Sequence, residues 1–365
     1  MKGLLLHVTI NPYSKEINIG LFKSSTQRTK WSSLDEKELY QLRLKDIFIP
    51  LEKTGLVPYL EKLQSELDLK GLSAFRPYFW FSDEWFTPDA HTGIAIPFYL
   101  SHKRLAKLQE KNLYDVEGGT PATFMKLLRH ECGHAIDNAY QLRRRRKRQQ
   151  LFGKSTIKYQ DTYAPKPFSK KYVVHLNGWY SQSHPDEDFA ETFAVWLNPR
   201  SGWKKRYPKW RGAYQKLQYM DELMQEISHT KPLLKTRRKI DPQNQLTKTL
   251  GDYFEEKIDH YGVNHPSVFD VYLLKLFTNN PDLSKGIKAS TFIRKIKKDV
   301  RKSVSPWTGA YQYTINEILE EVTNRCDELN LKLKFPFEQS KNQFISMLSV
   351  VTIEYIHQGS HRIAR

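Results

Sequence analysis

Cysteine is nearly absent: the 365 residues contain two, and one of them, Cys132, lies between two histidines. A disulfide framework is therefore not expected, and a reducing, cytoplasmic setting is the simplest one. Long apolar runs are also missing. No stretch approaches the length of a transmembrane helix. The apolar start, Met1 to Leu6, is cut short by His7 and has no small-residue cleavage site, so it reads as a first strand over 4–10 and not as a signal peptide. There is no internal repeat. Acidic residues are scarce beside basic ones: 40 Asp and Glu face 58 Lys and Arg, a formal charge of +18. Such an excess suits nucleic acid, acidic protein segments or an anionic membrane surface. Part of it sits in Arg143 through Arg148, basic at every position, a run that could equally be a solvated helix end.

What is present is enough for a packed core, with 39% hydrophobic and 13% aromatic residues. The length suggests two domains, and a composition shift after Ser228 puts them at 1–228 and 229–365. Helical patterns occur around 34–47 and 57–68. The segment Gly93 to Leu100 is β-like, with Pro97 suited to an edge, and Leu105 to Glu110 reads as a short helix. Gly118-Gly119 breaks the chain before a helix capped by Thr120, with Pro121 in its first turn, that runs toward Leu142. Residues 149–172 read as loop, and Tyr172 to Leu176 as a strand. A second helix is capped by Ser183 or His184, begins at Pro185 and ends at Asn198-Pro199. Beyond a Lys/Arg-rich link, the segments 248–259, 265–278, 290–303, 310–330 and 337–357 look helical and carry no chemical motif.

The first of those two capped helices contains His130-Glu131-Cys132-Gly133-His134. At 100° per residue, His130 and His134 fall on one face with Glu131 beside them. Two imidazoles so placed can bind one Zn²⁺, and the adjacent carboxylate can take a proton from water at the metal. The apolar positions Phe124, Leu127, Leu128 and Ala135 overlap that face. The histidines should therefore point inward, where unpartnered imidazoles would be costly. A catalytic zinc needs a third protein ligand. The pattern with a histidine six residues after the second His is excluded, because Tyr140 stands there. The alternative takes a glutamate from a second helix, and Glu187-Asp188-Phe189-Ala190-Glu191 supplies two glutamates four apart on one face. Glu187 would bind zinc, and Glu191 would hydrogen-bond a ligand histidine. Interleaved Phe189, Phe193 and Trp196 argue that this helix is at least half buried.

The pairing of His-Glu-Cys-Gly-His-Ala-Ile-Asp with Glu-Asp-Phe-Ala-Glu-Thr-Phe-Ala resembles the lethal-factor-like branch of gluzincin peptidases. The flanking segments Ser82 to Phe86, Gly93 to Leu100, Leu128 to Glu131 and Trp179 to Glu191 resemble a bacterial family of zinc-binding metallopeptidases more closely still. The likeness spans about residues 75–225. It implies an α+β zincin-like core, a mixed sheet with an exposed edge strand over the two ligand helices, followed by a helical C-terminal domain. It also implies a role for Tyr180, seven residues before the ligand glutamate, in donating to the substrate oxyanion, with His184 as a competitor.

The expected activity is hydrolysis of peptide bonds with one zinc ion. His130, His134 and Glu187 hold the metal, Glu131 is the general base, and Asp137 and Glu191 orient the ligands. The substrate would be a protein or peptide, with Arg143 to Arg148 favouring acidic segments. The rival is a basic nucleic-acid-binding protein with a structural or inactive zinc site, although structural zinc prefers four Cys or His ligands.

Overall fold

The computed structural model describes residues 29–160, 163, 166, 169–261 and 270–357. The strand expected over 4–10 lies outside them. The chain is dominated by helices: α1 (Glu36–Gln41), α2 (Val57–Leu69), then strands β1 (Tyr78–Ser82) and β2 (Gly93–Pro97), then α3 (Lys103–Leu113), α4 (Pro121–Tyr140), α5 (Arg146–Phe152), α6 (Pro185–Leu197), α7 (Trp203–Arg206) and α8 (Arg211–Ile227). The C-terminal third holds α9 (Leu250–Tyr261), α10 (Asp270–Leu276), β3 (Phe277–Thr278), α11 (Ala289–Thr308), α12 (Gln312–Glu328), β4 (Lys332–Leu333) and α13 (Phe337–His357). None of the described helices is long and apolar enough to cross a membrane.

Two sheets occur among the described residues, each of two strands. β1 and β2 run parallel with Tyr78 opposite Gly93 and Ser82 opposite Pro97. This small parallel pair stands where a mixed sheet with an exposed edge was expected. Every residue of β2 is buried, and the Ala95 amide donates to the Phe86 carbonyl at 2.8 Å, so the far edge is engaged at its centre. The outer face of β1 is crossed by the basic link. The side chains of Tyr78, Trp80 and Ser82 donate to the carbonyls of Arg238, Ile240 and Asp241. α4 packs against β2 and against α6.

The strand expected over Tyr172–Leu176 is absent, and its amides show why. The Leu176 N–H goes to the Glu191 carboxylate and the Val174 N–H to the Tyr207 hydroxyl, leaving no ladder to form. The loop expected from 149 begins later, because α5 continues to Phe152. That helix has little apolar periodicity to announce it, since its buried residues are Arg148 and Phe152.

Among the described residues, two large apolar clusters organise the interior, with a small third one of Tyr78, Trp80 and Ala95 at the β1–β2 pair. The larger runs from Trp31 to Phe254 and gathers α2, α4, α6 and α8 together with α9. The smaller joins Leu273 to Val351, where α11, α12 and α13 pack around β3 and β4. The division expected at 228/229 thus falls within the span of the larger cluster. The two clusters meet where α12 packs on α3 and α9, and the Arg301 guanidinium on α11 lies 3.9 Å from the centre of the Tyr114 ring at the end of α3.

Candidate metal centre

Helix α4 starts where the sequence places it. The Thr120 side chain accepts from the Thr123 N–H, Thr123 returns the bond, and Pro121 fills the first turn. Gln141, left-handed at φ 52°, ends the helix. α6 is capped by His184, whose side chain accepts from the Asp186 N–H, and its first turn carries Asp186, Glu187 and Asp188 at the positive end of the helix dipole. Gly133 is the contact that brings the two helices together. A Cβ there would lie 2.7 Å from the Ala190 Cα and 3.0 Å from its carbonyl oxygen. Only a residue without a side chain lets α6 approach so closely.

That approach joins His130, His134 and Glu187. The two Nε2 atoms are 3.1 Å apart, and each is 3.1 Å from Glu187 Oε2. His130 Nδ1 lies 2.8 Å from Glu191 Oε1. A carboxylate only accepts, so Nδ1 carries the hydrogen, and the Nε2 lone pair of His130 points at the other two ligand atoms. Three donor atoms converging in a buried site call for positive charge between them, which a proton or a metal ion can supply. A zinc ion with bonds of about 2 Å fits a triangle of this size, slightly smaller than the tetrahedral edge of about 3.3 Å. His130, His134 and Glu187 also form the group of His, Cys, Asp and Glu side chains able to hold a metal ion among the described residues.

The proton equilibria carry the same demand for positive charge. Burial lowers His130, but its bonds to Glu187 and Glu191 outweigh this and raise it to about 10. Burial raises Glu187, yet His134 and His130 hold it well below the usual carboxylate range. Glu191 is likewise held low against burial by its bond to His130. Glu131 moves the other way: buried beside the histidines, it is raised by desolvation, and its Oε1 has no hydrogen-bond partner.

The remaining expected site residues sit as follows. Glu191 bridges His130 and the Leu176 amide. The Tyr180 ring lies 5.7 Å from that of His130. His184 does not face the metal ligands with a free nitrogen: Nδ1 accepts from the Asp186 amide and Nε2 donates to the Ile157 carbonyl at 2.8 Å. The hydrogen bond of Asp137 goes to Arg148 at 3.2 Å, with Arg143 at 3.6 Å, and to neither ligand histidine.

Two residues of the site give little sign of themselves in the sequence. Tyr159 donates to Glu187 Oε1 at 2.9 Å. Its only signal is the tyrosine-rich composition of 149–172. Arg148 is buried and ties Asp137 on α4 to Asp186 on α6. It hides within a run that reads as solvated charge. The structure commits four of those six basic side chains internally: Arg143 to Asp89, Arg145 to Glu226, Lys147 to Glu222, and Arg148 as above. Of these, only Arg148 is withdrawn from the surface, whereas the Arg145–Glu226 and Lys147–Glu222 pairs lie exposed.

Residues 120–205 match the family model described as "Putative zinc-binding metallo-peptidase". The match takes in both ligand helices, Tyr159 and Arg148. No curated protein and no solved structure matches the chain.

Proposed function

We propose that this chain is a zinc-dependent peptidase of the gluzincin type, with a lethal-factor-like site built from α4 and α6. The observation that carries the reading is the convergence of three lone-pair donors, His130 Nε2, His134 Nε2 and Glu187 Oε2, beside the buried and half-bonded Glu131. A zinc ion bound there supplies Lewis acidity and acidifies water. Glu131 takes the proton of the attacking water and passes it to the leaving nitrogen, a task suited to a carboxylate raised by burial. Tyr180, beside His130, donates to the developing oxyanion. Glu191 holds His130 with its Nε2 toward the metal. His184 serves as the cap of α6, since both of its nitrogens are engaged.

The substrate is then a protein or peptide, with cleavage within a chain the simplest form. The nucleic-acid alternative rests on net charge, and the internal pairing of the arginine run weakens it. Glu131→Gln is the direct test, scored on a mixture of denatured proteins with zinc content measured in parallel. The variant should keep its zinc and lose about 10²–10⁴-fold in rate, the usual range for general acid–base catalysis. Undiminished hydrolysis by a zinc-loaded variant contradicts the mechanism.

A further inference from the structure

We infer that Tyr159 is a positioning residue that makes Glu187 a one-oxygen ligand. The inference rests on the metal reading above and assigns a role within it. A carboxylate can hold a metal ion through one oxygen or both, and the choice decides how many coordination positions remain for water and substrate. The two oxygens of Glu187 have different partners. Oε2 faces both histidine Nε2 atoms at 3.1 Å, while Oε1 accepts the Tyr159 hydroxyl at 2.9 Å. The hydroxyl holds Oε1 toward the phenol, and Oε2 is the oxygen that faces the histidines.

The phenol is held in place by groups that also build the start of α6. Its ring stacks on His184 with centroids 3.6 Å apart and planes 17° from parallel. His184 also donates to the Ile157 carbonyl, two residues before Tyr159, and caps α6 two residues before Asp186. At the other end of the loop, Arg148 donates to the Gly153 carbonyl and the Ser155 hydroxyl, and both Arg148 and Ser155 bond Asp186. The segment 153–159 is thus fastened at both ends to the first turn of α6, the turn that carries Glu187. His184, which by sequence competes for the oxyanion role, is the support on which Tyr159 rests. A ligand glutamate, its helix cap and its hydrogen-bond donor form one closed unit.

Cobalt(II) in place of zinc reports the difference, because its visible absorption depends on coordination number. Tyr159→Phe keeps the ring and its stack on His184 and removes only the hydroxyl. The wild type should show the intense bands of four-coordinate cobalt. In Tyr159→Phe, with Oε1 free to reach the ion, the bands should lose intensity and move to higher energy. Cobalt uptake by both proteins with superimposable spectra overturns the inference and leaves the metal reading standing. A wild type that takes up no cobalt overturns the metal reading, and the inference with it.

Discussion

His130 joins both halves of the site, giving one ring nitrogen to Glu191 and aiming the other at Glu187. Its bonds raise it to about 10, so a proton and a metal ion compete for the same lone pair over the physiological range. The sign follows directly. Below that value the nitrogen is protonated, and each unit of acidification makes displacement of the proton tenfold harder. Zinc affinity, measured by chelator competition between about pH 6 and 8, should therefore tighten about tenfold per unit for each imidazole proton displaced, from His130 and from His134, which Glu187 also raises. A pH-independent affinity would mean that His130 does not ligate. Glu131 poses a separate residue-scale problem. A buried carboxylate oxygen without a partner costs stability, and such groups persist where a function uses them.

Helices α4 and α6 meet at a single permissive position. Gly133→Ala would press a methyl into the Ala190 backbone, and overpacking of this kind costs about 1–3 kcal/mol. Because the helices must part to accept it, zinc affinity should fall together with thermal stability. A variant with native zinc affinity would show that close helix approach does not set the ligand geometry. Arg148 works on the same pair from below. Replacing it with Met leaves Asp137 and Asp186 without their guanidinium in a buried setting, and losing one partner of such a network costs about 3–5 kcal/mol. Calorimetry should register a loss of that order. A change below about 1 kcal/mol would place Arg148 among weak surface pairs. Both helices of the candidate site were legible in the sequence, because their caps, their first-turn prolines and the four-residue spacing of their histidines and glutamates are local signals. The strand expected over Tyr172–Leu176 failed for a non-local reason. Side chains from α6 and from Tyr207 take its amides, and nothing within those five residues announces them.

Across the whole molecule, most of the C-terminal helices were readable in the sequence, but the segment expected as helix over 265–278 ends in β3, and its first residues lie outside the described ones. The extent of the first core was not readable: α9 follows the composition shift, yet Leu250, Tyr253 and Phe254 join the cluster that surrounds the site. Net charge misled in the same way. A count of +18 does not distinguish solvated cations from the buried Arg148 or the paired Arg143, Arg145 and Lys147. Tyr159 was unreadable because its partner lies 28 residues away in the chain. Everything proposed for the molecule depends on the metal, so metal content tests it most directly. Elemental mass spectrometry on the full chain and on Glu187→Ala, both purified without added metal, should find about one zinc per wild-type chain and far less in the variant. A wild type that holds no zinc even after reconstitution, or a variant that keeps its full complement, would contradict the three-ligand site.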